Sequence, residues 1–313
     1  MFRRIFSASL VLFFSMSAVC AFAQDDKNQE KTVKLLTIGN SFARNALKYL
    51  DQIVTGQGRK IIIGRANLGG CPLDRHWNNA EKDLKEYKYK GKKLTLTEML
   101  QAEKWDIVTI QQVSHKSFKR ETFEPYAANL IALIKKYAPQ AEIVIHQTWA
   151  YRADHNWFTK KDATLTQQKM YDGALANYLW LADKYKLRVF PSGAAIQLCR
   201  ETQPVKFTCP DPKFDYKKAE KPALPNQDGS LIVGLSWRKN KAGKWYMGND
   251  AIHANPRAEY MIGCAWYEMI YGDNAENVKF VPKGIDEKDA EFLRKTAHQA
   301  VKDFKQVDSI KKK

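Results

Sequence analysis

The sequence predicts an α/β protein in three layers, a parallel sheet of about five strands with helices on both faces. Short β-branched runs alternate with longer helical stretches along the chain. The first of these runs is near-continuously apolar, as in a strand buried on both faces, and strands that alternate with crossover helices imply parallel pairing.

Residues 33–39 (VKLLTIG) form the first expected strand, followed by a helical pattern over about 42–55. The second strand is 60–66 (KIIIGRA), with a glycine-rich loop at 67–71, a charged stretch to Lys93 and a short helix near 96–102. A third strand at 106–111 (DIVTIQ) leads to a helix over 124–137, with Pro139 just past its end. The fourth strand is 142–146 (EIVIH), the next helix 165–185, and the fifth strand 187–190. Regularity then breaks between Cys199 and Asn249, a segment holding five of the eleven prolines and a hairpin of 231–238 against 244–247 around Asn240-Lys241-Ala242-Gly243. At that length it reads as an insertion over the end of the sheet. A helix at 256–271 and a Lys-rich amphipathic helix over about 287–313 complete the chain.

The 313 residues carry 51 Lys+Arg against 34 Asp+Glu, with 44% hydrophobic and 12% aromatic residues, which excludes a disordered chain. Five cysteines are too few for a disulfide-built miniprotein. Residues 1–23 read as a secretory signal: Arg3 and Arg4, an apolar run from Ile5 to Val19, then Ala21-Phe22-Ala23 before Gln24. Lipidation at Cys20 is the lesser alternative, because Val19 is bulky for the preceding position. Residues 24–313 read as one domain. Without Arg3 and Arg4, 49 basic residues face 34 acidic ones, a net +15. For an exported protein, secreted or periplasmic, that charge points to an envelope or extracellular polyanion rather than nucleic acid, or simply to a solvated basic surface. Export also permits a disulfide, for which Cys199 and Cys209 are the best-spaced pair. No cofactor, metal site or membrane span after signal removal is expected from the motifs present.

Two motifs carry chemistry. Gly39-Asn40-Ser41-Phe42 stands where the first strand turns into the first helix, at the carboxyl edge of the sheet where such folds bind ligands. Ser41 there reads either as a nucleophile or as a plain helix cap. Asp250-Ala251-Ile252-His253 precedes Asn255-Pro256, a helix start, and is expected on the loop entering that helix. From there Asp250 can accept the Nδ1 proton of His253, leaving Nε2 free to take a proton from a hydroxyl.

Ser41 in TIGNSF near the start and Asp250-x-x-His253 in NDAIHANP near the end resemble the first and last blocks of the SGNH/GDSL hydrolases. The resemblance spans about residues 34–271 and implies a flavodoxin-like sheet, a Ser41-His253-Asp250 triad and an oxyanion hole. For the hole it implies the Ser41 backbone N–H, the backbone N–H of Gly70, with Gly69 next, and the side chain of Gln112. Gln112 stands where the family places Asn and where its sialate-O-acetylesterase-like and acetylxylan-esterase-like branches place Gln; Ser114 and His115 are the substitutes. Asn40, Trp77, Trp149 and Tyr151, with Trp157, are the expected substrate contacts, the rings either stacking on sugars or packing beneath the insertion. The function expected is a secreted serine esterase that removes acyl, chiefly acetyl, groups from a carbohydrate, with a small-molecule or polysaccharide ester, acidic ones included, as partner. A lipase or thioesterase on the same triad, or a noncatalytic glycan-binding envelope protein of the same fold, are the alternatives.

Overall fold

In the computed structural model, which describes residues 32–161 and 163–310, strand β1 (Val33–Gly39) lies between β2 (Ile61–Asn67) and β5 (Ile107–Ile110), all parallel. Strands β6 (Glu142–His146) and β7 (Arg188–Phe190) extend the sheet beyond β5, giving the order β2-β1-β5-β6-β7. This is the flavodoxin-like order, whose switch point lies between β1 and β5, at the carboxyl ends of those strands. The expected signal segment and the lysine tail at 311–313 lie outside the described residues.

Alternate residues of the strands feed two cores. On one face Leu35, Ile107 and Val144 meet α1 (Ser41–Ala46), α2 (Leu50–Gly56), α9 (Ser192–Thr202), α10 (Pro256–Tyr271) and α11 (Glu287–Ile310). On the other, Leu36, Val108, Ile143 and Ile145 meet α3 (Leu73–Glu81), α4 (Leu96–Gln101), α6 (Tyr126–Tyr137) and much of α8 (Gln167–Tyr185). Burial on both sides is why these strands read as unbroken apolar runs. Short helices α5 (Ser114–Ser117) and α7 (Asn156–Thr159) follow β5 and β6. No described helix is long and apolar enough to cross a membrane.

Several expectations are corrected. The single helix over 42–55 is two, parted at residues 47–49. The charged stretch after Cys71 contains α3 and a small hairpin of β3 (Tyr87–Tyr89) with β4 (Lys92–Leu94). Helix α9 carries the chain regularly to Thr202, past the expected insertion boundary at 199. The hairpin of β8 (Ile232–Lys239) and β9 (Trp245–Ala254) is longer than expected, so Asp250 and His253 stand on a strand and not on a loop. Cys199 and Cys209 are both free thiols: Cys199 is buried on α9, whereas Cys209 lies beside Arg152 and Asp154, lining a separate cleft with Phe207 and Leu235.

Candidate active site

Two segments distant in sequence converge at the carboxyl edge of β1. Asn40 caps α1, its Oδ1 accepting the Phe42 N–H at 3.0 Å, so Ser41 begins the helix. The end of β9 enters α10 through Asn255, whose side chain accepts from Ala258. Between them a hydrogen-bonded chain closes: Ser41 Oγ lies 2.8 Å from His253 Nε2, and His253 Nδ1 lies 3.0 Å from both carboxylate oxygens of Asp250.

The electrostatics fix the proton positions. Burial pushes the Asp250 carboxyl up, but hydrogen bonds from the His253 ring and from the Ile252 and His253 backbone N–H groups outweigh it and hold the carboxyl down at about 2. A carboxylate charged across the neutral range keeps the proton on Nδ1. Nε2 is therefore the acceptor facing Ser41 Oγ.

Beneath Ser41 lies a buried polar network. Gln111 donates from Nε2 to Asn40 Oδ1 at 2.9 Å and accepts from His146 Nδ1 at 2.8 Å. His76 Nε2 donates to the Gly39 carbonyl, while its Nδ1 accepts from the Tyr87 hydroxyl. Burial drives both histidines down, His76 to about 4 and His146 to about 3, so both stay neutral and hold these roles. Gly39 must lack a side chain: a Cβ there would stand 2.6 Å from Gln111 Oε1.

The glycine loop is stapled at both ends to the turn that carries Ser41. Leu68 N–H donates to the Gly39 carbonyl at 3.0 Å, and Asn40 Nδ2 donates to the Cys71 carbonyl at 3.1 Å. A turn closed by the Cys71 N–H on the Leu68 carbonyl places Gly70 in the left-handed region at φ +58, which suits glycine. Among the described residues, neither the Ser41 nor the Gly70 N–H has a protein acceptor. Both remain usable as oxyanion donors.

Gln112 is not such a donor. Its Oε1 accepts from the Leu73 and Val113 N–H groups and its Nε2 donates to Thr122, so the side chain is consumed and shut off from solvent. Of its substitutes, Ser114 is buried against the Tyr151 hydroxyl and His115 is exposed. Asn40 is likewise a structural brace rather than a substrate contact, being 1% exposed with both side-chain atoms engaged.

The aromatic contacts also change role. Trp149 is 1% exposed, stacks on Phe42 at 4.0 Å and donates from Nε1 to the Ile252 carbonyl. Tyr151 is buried and Trp77 half-buried against the α3 core; of the rings singled out, Trp157 is the exposed one. Trp149 thus backs the triad. Trp149→Phe keeps a ring but orphans the carbonyl between Asp250 and His253, and is expected to lower kcat on p-nitrophenyl acetate about tenfold with little change in KM. An unaltered kcat would remove Trp149 from the support of the site.

Sequence reasoning missed Gln111, His146 and the Asn45–Glu259 hydrogen bond of 2.6 Å that ties α1 to α10 one turn beyond Ser41. Burial raises the Glu259 carboxyl, against the Asn45 hydrogen bond. The one sequence signal for Gln111 was its place at the end of a buried strand.

No curated protein matches the chain. Among solved structures, a DUF4886 family protein from Bacteroides uniformis is 25% identical with a TM-score of 0.67, covering 87% of this chain and 95% of that one. A candidate SGNH hydrolase from Slackia heliotrinireducens is 18% identical, TM-score 0.47, covering 77% of this chain and 100% of that one. An acetyl xylan esterase from Geobacillus stearothermophilus is 12% identical, TM-score 0.44, covering 81% and 99%. The family profile of DUF4886, a domain of unknown function, matches residues 34–209, more than half of the sequence. The sheet order and the Ser–Asp-x-x-His arrangement resemble those of the SGNH/GDSL hydrolases, and by the profile match over more than half of its length this chain belongs to the DUF4886 family.

Proposed function

We propose that this protein is an exported serine esterase that removes acyl groups, acetyl above all, from a carbohydrate. The observation that carries the reading is the continuous proton path from Ser41 Oγ to His253 Nε2 at 2.8 Å and from His253 Nδ1 to Asp250 at 3.0 Å. Ser41 Oγ attacks the ester carbonyl carbon as its proton passes to Nε2, and the carbonyl π pair moves onto oxygen. The Ser41 and Gly70 N–H groups hold that oxyanion. On collapse the bond to the sugar oxygen breaks, the imidazolium returns its proton to that oxygen, and Asp250 stabilises the charged ring throughout. Water then attacks the acyl-serine by the same route, releasing the carboxylic acid and restoring Ser41.

Partial exposure of the His253 and Asp250 side chains, 31% and 22%, supports access of a bulky substrate. Export rests on the signal-like residues 1–23. One experiment tests both parts: the chain recovered from the producing cells' periplasm or medium should begin at Gln24, and a fluorophosphonate should label it at Ser41 alone. The same material should cleave p-nitrophenyl acetate faster than p-nitrophenyl palmitate. Labelling elsewhere, or none, sinks the serine-esterase reading; a preference for palmitate sinks the acetyl one.

A further inference from the structure

Strand β9 carries more than the triad. Its register against β8 pairs Arg238 with Tyr246, Ser236 with Gly248 and Gly234 with Asp250. Successive side chains of a strand point to opposite faces, so Tyr246, Gly248 and Asp250 share one face. Arg238 lies over that same face: a Cβ on Gly248 would stand 2.7 Å from Arg238 Cδ, 3.0 Å from its Nε and 3.2 Å from Tyr246 Cε2. The missing side chain at 248 is what lets Arg238 lean along the hairpin toward Asp250.

Arg238 Nε donates to Ser236 Oγ at 3.1 Å. Among the described residues its two Nη nitrogens have no protein acceptor and no carboxylate pairs with it. An oriented, half-buried guanidinium without an anion therefore stands between an exposed ring, Tyr246 at 47%, and the acid of the triad. The whole run from Tyr246 to Asp250 is about 13 Å at the usual strand rise.

We propose that this face is the recognition platform of the site, on which Arg238 and Tyr246 hold a sugar unit bearing a carboxylate. The guanidinium fork matches a carboxylate through two parallel N–H···O bonds, and a tyrosine ring offers an apolar face to a sugar with a polar edge beside it. The surroundings favour the same charge. Residues 206–244 hold nine Lys/Arg against four Asp/Glu, and on the hairpin's other face Lys221 and Lys239 lie 3.8 and 5.0 Å from the Trp245 ring centroid.

The inference rests on the esterase reading for the place of the reacting ester, but not for binding of the anion. Acetate release is measured on acetylated polygalacturonate and on p-nitrophenyl acetate, and the ratio of the two KM values is compared between variants. Arg238→Gln should raise that ratio, polymer over small ester, about tenfold. Arg238→Lys should restore only part of the loss, since an ammonium cannot make the fork. Lys241→Gln, which removes the same charge from the hairpin turn, should leave the ratio where it was. No rise in Arg238→Gln, or an equal rise in Lys241→Gln, overturns the proposal. If the wild-type protein hydrolyses neither ester, the esterase reading alone fails and binding decides. Gel retardation by polygalacturonate that Arg238→Gln abolishes sustains the subsite. Retardation that the substitution leaves intact, or that duplex DNA or phosphatidylglycerol vesicles match, overturns it.

Discussion

Ser41→Ala is expected to lower kcat on a short acyl ester by about 10⁶, Asp250→Asn by about 10⁴, and the double variant by no more than Ser41→Ala alone. The first removes the attacking oxygen. The second acts through a proton. Oδ1 of Asp250 is pinned as an acceptor by the Ile252 and His253 N–H groups at 3.3 and 3.1 Å. In Asp250→Asn the new amide nitrogen then takes the place of Oδ2 and presents donors to His253 Nδ1. The imidazole answers by moving its proton to Nε2, where it faces Ser41 Oγ and can no longer accept. Initial rates on p-nitrophenyl acetate, with active protein counted by fluorophosphonate titration of the wild type and by circular dichroism of the variants, check the order. A loss below tenfold in Asp250→Asn would mean that His253 is oriented by something other than this carboxylate.

The central sheet was legible because its signals are local. Residues 33–39 and 142–146 are apolar runs with turn residues at their ends, and Asn255-Pro256 marks the start of α10 to the residue. Ser41 and the Asp250–His253 pair were legible as motifs. The features that escaped depend on contacts distant in sequence. Gln112 is consumed by Leu73, 39 residues earlier, and by Thr122, ten later, and nothing at its own position announces either. Asp250 lies on a strand because β8, with a bulge between Ile232 and Gly234, pairs that far along β9. Trp149 and Tyr151 follow a strand, as an exposed binding ring would, yet the hydrogen bonds of Trp149 to Ile252 and of Tyr151 to Ser114 bury them. The break of the first helix at 47–49 has neither glycine nor proline to forecast it.

Asp154→Ala is expected to destabilise the protein by about 3–5 kcal/mol, through a charge that lies outside the triad. The Arg152 side chain is 2% exposed. Its Nε and Nη2 bond to Asp154 at 2.7 and 2.5 Å, its Nη1 to Gln227 Oε1 at 2.7 Å, and Phe207 covers the guanidinium at 4.7 Å. Nη2 also reaches Asn249 Oδ1 at 3.3 Å, and the Arg152 N–H donates to the Ala251 carbonyl at 2.8 Å. One residue thus joins the loop after β6, the insertion and the two residues flanking Asp250. Removing Asp154 strands that cation without its anion, whereas Arg152→Met with Asp154→Ala removes both charges together and should cost less than Asp154→Ala alone. Gly234 belongs to the same arrangement. At φ +77 its Cβ would stand 1.8 Å from Arg152 Nη1, so Gly234→Ala should also destabilise. For a chain of this size the Asp154→Ala loss corresponds to a fall in Tm on the order of 10 °C by circular dichroism. A fall under about 2 °C would mean that water reaches the guanidinium in solution. Because Arg152 braces β9 on both sides of Asp250, kcat should fall with Tm in Asp154→Ala even at temperatures where the chain is fully folded, which separates loosening of the triad strand from simple loss of folded protein.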